Sequence, residues 1–232
     1  MDHQAVKALV RDNEFLIKNC TNLIIDVRVN KGGSDLAFFE LLPYLFTGEK
    51  VDLNSFNDDK MLTNCTDRNV EIRTKLLKDA ASSIKDSNTL DQINTMIMEL
   101  DKNRGKGFVE LDFGEIENSL IIKTKTGPEK VTVLTDVYCG SSGDSFVELC
   151  KNSSKVIVMG RPTLGLNDYA NIAIMELADK FELWYPTTKL SRVDEGKGMS
   201  GKGIQPDIYI PWSPQHIKED VDLKEALQKV TK

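Results

Sequence analysis

Residues 136–146, DVYCGSSGDSF, place two adjacent serines at a turn between a strand-like run and a helical pattern. A serine at such a turn exposes its hydroxyl, and the backbone N–H groups that follow it are unpaired at a helix N-terminus. A nucleophile and part of an oxyanion hole, the N–H donors that hold a developing negative charge, can therefore come from one short segment. The alternative is that Ser141 or Ser142 only caps the helix, which is the commoner role of serine at such a position.

Strands and helices alternate along most of the chain, and their order indicates how this turn is supported. Apolar residues at helical spacing over residues 4–18 precede a buried strand, NLIIDVRV, which a turn containing Gly32 and Gly33 joins to an apolar helix over residues 35–46. The later elements are a strand at 131–137, a helix at 145–152, strands at 155–159, 170–175, 181–186 and 208–210, and a helix at 222–230. This alternation predicts an α/β fold with a mostly parallel, buried sheet.

The stretch between these two groups of elements has a different character. Residues 47–105 are polar and predict two helices with solvated faces, and residues 108–125 predict a hairpin. We therefore expect residues 1–46 to form the first part of a core and residues 128–232 the second part, with a mainly helical insertion at 47–127.

Composition limits the classes of function. With 232 residues, 40% of them hydrophobic and 28% charged, the chain is expected to be a soluble globular protein. A net charge of −6 argues against nucleic acid or an anionic membrane as a general partner. The four cysteines lack metal-binding spacing, so we interpret them as free thiols and expect no metal. The polar N-terminus does not resemble a signal peptide, which favours a cytoplasmic location unless an N-terminal segment is missing.

Four segments in order resemble a known enzyme family. They are LIIDVRVNKGG, SSGDSF, GRPTLG and GIQPDIYI. They resemble the patterns LIIDLRxNxGG, SAxE, GExTxGK and GIxPDxxV of the C-terminal-processing (tail-specific) and tricorn-core serine peptidases, over residues 5–46 and 130–230. The resemblance implies a ClpP/crotonase-like α/β core, polypeptide substrates, and hydrolysis through an acyl-enzyme without a metal or an organic cofactor.

The resemblance also assigns roles to residues. The nucleophile falls on Ser141, because Asp144 occupies the acidic position three residues later. One oxyanion N–H falls on Ser142, and the other on Gly33 or its neighbour Gly32. Glycines suit this role because they let backbone N–H groups approach a substrate carbonyl closely.

The chain departs from the family pattern at the position of the general base. Many members pair the serine with a lysine after the last glycine of the GxxTxG segment, and this chain has Leu166 there. Tricorn-like members use a histidine and a glutamate instead. The glutamate position falls on Ser200, and Glu195 is the nearest carboxylate upstream. Because leucine cannot accept a proton, the general base stays unidentified.

The two histidines, His3 and His216, lie in polar segments, and we expect both to be solvated rather than catalytic. The family's histidine comes from a region before a PDZ-like peptide-binding domain, and we find no matching segment in this sequence. We therefore expect the base on an omitted N-terminal segment or on an unexpected residue such as Lys202 or His3.

Three functions stay open at this point. The chain is either the catalytic core of a serine peptidase, or a degenerate domain of the same fold that binds extended peptides, or an enzyme of acyl-thioester chemistry. The segment 47–105 either roofs the cleft or mediates self-association into a homo-oligomer. Cleavage specificity and the presence of an upstream domain are not determined by the sequence.

Overall fold

The computed structural model describes residues 2–56, 58–113, 120–177 and 180–230. Within these ranges the α-helices are α1 (His3–Asp12), α2 (Glu14–Asn19), α3 (Leu36–Phe39), α4 (Leu42–Leu45), α5 (Asp67–Ala81), α6 (Ser87–Lys102), α7 (Ser142–Cys150) and α8 (Val221–Val230). The strands are β1 (Asn22–Asp26), β2 (Lys50–Asp52), β3 (Met61–Asn64), β4 (Phe108–Glu110), β5 (Ile121–Lys123), β6 (Lys130–Thr135), β7 (Val156–Gly160), β8 (Tyr169–Glu176), β9 (Glu182–Leu190) and β10 (Ile208–Tyr209). None of these helices combines the length and the apolar character that crossing a bilayer requires.

The chain divides into two compact units. The first comprises Met1–Asn57, Leu120–Asn167 and Met199–Lys232, and the second comprises Asp58–Ser119 and Asp168–Gly198. The predicted division placed all of residues 128–232 in one core, whereas residues 168–198 group with the second unit. The reason is that β9 forms a ladder with β3, with Thr63 opposite Thr188.

The first unit is built on a four-stranded parallel sheet in the order β1-β6-β7-β10. Ile25 lies opposite Val133, and Val133 lies opposite Val158 in the next strand. Val133 and Val158 are fully buried and pack with Phe38 and Phe146 in the main hydrophobic cluster. A parallel sheet buried on both faces is what the near-continuous apolar runs predicted, and the α/β fold class is confirmed.

One predicted helix is interrupted. Residues 35–46 form the short helices α3 and α4 rather than a single helix. Pro43 has no N–H to donate, and its ring would clash with the carbonyl four residues earlier, so a continuous helix cannot pass through it.

The carboxyl ends of parallel strands meet at one edge of a sheet, and this brings two turns together. The N–H of Gly140, after β6, donates to the carbonyl oxygen of Asn30, after β1, at 2.8 Å. The N–H of Val29 donates to Asp136 Oδ1 at 3.0 Å. The turn with the serines and the turn with the paired glycines are thus joined by hydrogen bonds.

The second unit contains an antiparallel sheet in the order β4-β3-β9-β8 and the two helices α5 and α6, which were predicted within residues 47–105. The predicted hairpin over residues 108–125 is wrong. Strand β4 pairs with β3, whereas β5 pairs with β2 in a separate two-stranded sheet of the first unit. Alternating apolar residues indicate a strand but do not choose its partner. Residues 114–119 of that prediction lie outside the described ranges.

Candidate active site

Ser141 occupies the last position of the turn between β6 and α7. Its backbone has φ 57° and ψ −121°, a conformation that a residue with a side chain rarely adopts. The residue is exposed, while Gly140 and Ser142 on either side are buried. Some hydrolases hold a nucleophilic serine in a strained strand-to-helix turn of this kind, which exposes its hydroxyl. Ser141 is also the N-cap of α7 and forms a capping box with Asp144, but its backbone angles differ from the extended ones that are typical of an N-cap residue.

Gly32, the first of the paired glycines, lies beside this serine. A β-carbon on Gly32 would lie 2.7 Å from Ser141 Cβ, so a side chain does not fit at that position. Gly32 and Gly33 have φ values of 91° and 135°, which favour glycine. The two turns therefore approach each other as closely as backbone and side-chain atoms allow.

The backbone N–H groups around Ser141 are not equivalent. The N–H of Gly32 donates to Asn30 Oδ1 at 3.0 Å, and the N–H of Ser141 donates to Asp144 Oδ2 at 2.7 Å. In the part of the chain that the structure describes, the N–H groups of Gly33 and Ser142 have no acceptor. Of the donors predicted from the sequence, Gly33 and Ser142 are therefore the two available to an anionic ligand.

Asp144 connects the serine turn to the loop that follows β7. Its fully buried carboxylate accepts hydrogen bonds from the N–H groups of Ser141, Gly165 and Leu166, at 2.7, 3.0 and 2.8 Å. Three N–H donors satisfy most of the acceptor capacity of a carboxylate. Asp144 thus fixes backbone geometry, which explains why an acidic residue suits this position.

The positions of the family's lysine and glutamate carry Leu166 and Ser200, and neither side chain is a base. Leu166 is half exposed, and its Cδ1 lies 3.2 Å from where a β-carbon on Gly140 would stand. Ser200 and Lys202 lie exposed in the loop after Met199. Glu195 belongs to the second unit, where its carboxylate pairs with Lys197 Nζ at 2.7 Å.

Asp35 is a titratable residue beside the serines that sequence reasoning missed. The residue is exposed, yet the protein atoms packed around its carboxyl raise the pKa of that carboxyl by desolvation, and the neighbouring Ser142 hydroxyl lowers it in part. Ser142 Oγ is buried and faces this carboxylate without completing a hydrogen bond of normal geometry among the described residues. A carboxylate with a raised pKa can accept a proton closer to neutral pH than an ordinary one. Asp35 follows Gly33 by two residues, and this short spacing was the feature of the sequence that could have placed it near the site.

The histidines are not solvated as expected. The side chain of His216 is 10% exposed, and its Nε2 lies 3.2 Å from Asp222 Oδ1. The side chain of His3 is 25% exposed, and its Nε2 lies 3.1 Å from Glu40 Oε1. Each ring is thus engaged by a carboxylate, and in the described residues neither ring has a polar contact with Ser141.

A buried charge cluster lies at the same edge of the sheet. Asp222 is 1% exposed and accepts hydrogen bonds from Arg161 and Arg28. Burial would raise the pKa of Asp222, but the hydrogen bonds from Arg161 and His216 outweigh it, and the pKa is lowered. Hydrogen bonds from Arg28 likewise lower the pKa of Asp220 to about 2. These contacts connect the segments after β1, β7 and β10.

The cysteines are free thiols, as predicted. Burial raises the pKa of Cys139, two residues before Ser141, to about 12. A thiol with so high a pKa is unreactive at neutral pH. Within the described ranges, no three His, Cys, Asp or Glu side chains are grouped closely enough to hold a metal ion.

Comparison with known proteins identifies a family. The sequence model of peptidase family S41 matches residues 2–210. Among curated proteins, none matches the sequence significantly.

Solved structures share the fold at low sequence identity. Mature CPAF is 16% identical with a TM-score of 0.60, and the match covers 98% of this chain and 45% of that one. A candidate peptidase from Parabacteroides merdae ATCC 43184 is 17% identical with a TM-score of 0.55, covering 98% of this chain and 56% of that one. The chain thus spans about half the length of these structures. At such identities the likeness concerns the fold alone, and it agrees with the ClpP/crotonase-like α/β core that the sequence motifs implied.

Proposed function

The chain belongs to peptidase family S41, and on that premise we propose that it hydrolyses peptide bonds through an acyl-enzyme on Ser141. One observation carries the proposal. The exposed hydroxyl of Ser141 stands in a strained turn, against Gly32 and near two N–H groups without an acceptor in the described chain, those of Gly33 and Ser142. Strained backbone is retained where function or surrounding structure requires it.

In the proposed reaction, Ser141 Oγ attacks the carbonyl carbon of the scissile bond and its proton passes to a base. The N–H groups of Gly33 and Ser142 hold the resulting oxyanion, which fixed donors stabilise more strongly than mobile water does. Collapse of this intermediate breaks the C–N bond, and the amine leaves with the proton. Water then attacks the acyl-enzyme, which releases the acid and restores the serine hydroxyl.

Asp35 is our candidate for the base. Its carboxylate lies beside Ser142, and the protein atoms packed around it raise its pKa although the residue is exposed, so it accepts a proton at a pH closer to neutral than an aspartate of ordinary pKa does. The lysine of other family members would stand at Leu166, which cannot serve. We therefore assign the role of general base to the Asp35 carboxylate, which lies next to the serine pair.

A fluorophosphonate probe, which forms a bond with activated serines, tests the nucleophile. We expect the protein to be labelled and to cleave unfolded casein, and we expect Ser141→Ala to abolish both. Ser145→Ala, on the same helix, is the matched control and should retain both activities. Labelling that survives Ser141→Ala would remove Ser141 from its proposed role, and Asp35→Asn should slow labelling by at least about tenfold, as expected for loss of a general base.

A second function, peptide binding without cleavage, is favoured by one observation. Leucine stands at the family's lysine position, so the hydroxyl of Ser141 lacks the lysine that many family members pair with their serine. If neither labelling nor cleavage is detected, saturable peptide binding that is indifferent to Ser141→Ala would support this function instead.

A further inference from the structure

Asp136 follows β6 directly, and it shapes the turn that leads to Ser141. The residue is 7% exposed, and its Oδ1 accepts a hydrogen bond from the N–H of Tyr138 at 3.0 Å. Its main-chain carbonyl oxygen accepts from the N–H of Cys139, also at 3.0 Å. An aspartate whose side chain bonds to the backbone two residues later forms an Asx turn, which is a common local arrangement. By itself this turn accounts only for the path of the chain from β6 to the serine.

The same oxygen atom also holds a second, distant segment. The N–H of Val29, 107 positions earlier in the sequence, donates to Asp136 Oδ1 at 3.0 Å. Val29 belongs to the turn after β1, which continues to Gly32 and Gly33. A carboxylate oxygen has two lone pairs and can accept two such bonds at once. One oxygen atom is therefore a common acceptor for both turns of the candidate site.

The turn with the paired glycines needs this support because its backbone is strained at Val29. Val29 has a φ of 60°, and its side chain is branched at the β-carbon. A β-branched residue rarely adopts this conformation, and strain of about 1–3 kcal/mol persists only where the surrounding structure imposes it. Loss of the acceptor at Asp136 would let the backbone of Val29 relax, and the movement would reach Gly32 three residues later.

Movement of the glycine turn matters because of its contacts with the serine turn. A β-carbon on Gly32 would lie 3.0 Å from Ser141 Oγ, so the glycine turn already lies against the hydroxyl. The hydrogen bond from the N–H of Gly140 to the carbonyl oxygen of Asn30, at 2.8 Å, also depends on the separation of the two turns. A shift of the glycine turn would therefore change both contacts.

We propose that Asp136 is a positioning residue for the reaction at Ser141. Its Oδ1 fixes the glycine turn, which carries the N–H of Gly33, relative to the serine turn, which carries Ser141 and the N–H of Ser142. The identification of this geometry as catalytic rests on the proposed function. The place of the acceptor oxygen is the property that counts, and not the negative charge, because both donors are uncharged N–H groups.

Three substitutions separate the place of the acceptor from the charge. Asp136→Asn keeps an oxygen at the same position and loses the charge. Asp136→Glu keeps the charge and moves the oxygen by one methylene group, and Asp136→Ala removes both. Labelling of Ser141 is followed over a range of fluorophosphonate concentrations, which gives the rate at saturating probe and the probe concentration at half of that rate.

The expected pattern follows from the geometry. Asp136→Glu and Asp136→Ala should lower the rate at saturating probe by at least about tenfold, because a displaced reacting group lowers the rate of the chemical step. The half-saturating concentration should change little. Asp136→Asn should stay within about threefold of the original rate, since it keeps the acceptor in place.

Asp207→Ala is the control for a loss of stability alone. Asp207 precedes β10, and its Oδ2 accepts a hydrogen bond from the N–H of Val158, in the middle of β7, at 2.8 Å. The substitution therefore removes a carboxylate that accepts from the backbone of the same sheet. We expect Asp207→Ala to lower the free energy of unfolding in urea, as Asp136→Ala does, and to retain the labelling rate.

Hydrogen exchange of the Gly140 amide, measured by NMR without the probe, reports the bond between the two turns independently of any reaction. The amide of Val133, in the middle of β6, is the internal reference for unfolding of the whole unit. Relative to Val133, exchange at Gly140 should be at least about tenfold faster in Asp136→Glu and Asp136→Ala. It should be unchanged in Asp136→Asn and in Asp207→Ala.

Each result decides the proposal. Equal labelling rates in all variants, or a loss in Asp136→Asn as large as that in Asp136→Ala, would overturn it. If Asp136→Ala fails to fold by circular dichroism, Asp136→Asn and Asp136→Glu still decide. If the original protein is not labelled at Ser141, the proposed function fails, and exchange at Gly140 then decides whether Asp136 holds the two turns together.

Discussion

Gly32 lies directly against the side chain of Ser141. A β-carbon on Gly32 would stand 2.7 Å from Ser141 Cβ and 3.0 Å from Ser141 Oγ. Atoms at such distances overlap, so the glycine turn and the serine hydroxyl hold their positions only in the absence of a side chain at residue 32. The two segments, far apart in the sequence, thus form one site.

Gly32→Ala should therefore displace the Ser141 hydroxyl. We expect labelling of Ser141 by a fluorophosphonate to slow by at least about tenfold, because small displacements of a reacting group have large effects on rate. The rate of labelling under excess probe is the measurement.

The chain offers a closely matched control for that substitution. Gly48 has the same φ of 91°, but a β-carbon there would meet no atom within 4 Å. Gly48→Ala should lose about 1 kcal/mol of stability from backbone strain and retain the labelling rate. If the probe labels both variants at the rate found for the original protein, the proximity of Gly32 to the Ser141 hydroxyl has no chemical role.

The strained backbone of Ser141 leads to a second prediction. Strain of this kind amounts to about 1–3 kcal/mol, and glycine would relieve it. We expect Ser141→Gly to raise the free energy of unfolding by about 1 kcal/mol while abolishing labelling. Ser141→Ala keeps the side chain's clash with the backbone and should leave stability nearly unchanged. Urea denaturation of the two variants is the measurement, and equal stabilities would show that the turn is unstrained.

The sequence was sufficient for the parts of the site that depend on local residue types. The order of the motifs, the strand before Gly140 and the paired glycines indicated an α/β core with Ser141 in a turn. The strand and the glycine turn follow from periodicity and from the restricted conformations of glycine, whereas the order of the motifs has meaning only through the family resemblance. The solved structures and the parallel sheet agree with that fold class.

Contacts between distant segments could not be obtained in the same way. The hydrogen bond from Gly140 to Asn30 and the close approach of Gly32 to Ser141 depend on β1 and β6 being neighbours, which no local pattern states. The pairing of β4 with β3 and of β5 with β2 is similarly non-local. Asp35 was overlooked because its significance comes from its position beside Ser142, which is a property of the folded chain.

Leu166 provides a third prediction, a gain of activity. Leu166→Lys would place an amine at the position where many family members carry their catalytic lysine. Partial burial lowers the pKa of an amine, so it can accept the proton of Ser141 near neutral pH. We expect labelling to accelerate by roughly 10²-fold, a typical contribution of a positioned base, and to increase with pH.

Leu164 supplies the control for a general effect of positive charge. Leu164 and Leu166 are 43% and 49% exposed. Their side-chain atoms lie 3.1 and 3.2 Å, respectively, from the position that a β-carbon on Gly140 would occupy. Leu164→Lys should leave labelling at its original rate. Equal acceleration by both substitutions would mean that the effect is electrostatic attraction of the probe and not proton transfer.

The charge cluster around Asp222 gives a fourth prediction, which concerns stability and pH. Asp222 is 1% exposed and pairs with Arg161 and Arg28, whose side chains are 14% and 18% exposed. Asp222→Asn removes the carboxylate paired with Arg161, whereas Arg28 keeps its pairs with Asp26 and Asp220, and we expect a loss of roughly 3 kcal/mol in the free energy of unfolding at pH 7. Asp12→Asn, at an exposed pair with Arg11, is the control and should change stability by less than about 0.5 kcal/mol.

The pH dependence of the Asp222 variant follows from the sign of the pKa shift. The pKa of Asp222 is lowered on folding, because the hydrogen bonds from Arg161 and His216 outweigh the effect of burial. Its stabilisation is therefore present above the ordinary pKa of 3.8 and is lost as the pH falls through the lower folded value. The stability difference between the original protein and Asp222→Asn should be full at pH 7 and should shrink below about pH 4. Urea denaturation across this range is the measurement, and a difference that does not change with pH would mean that Asp222 is not ionised in the folded protein.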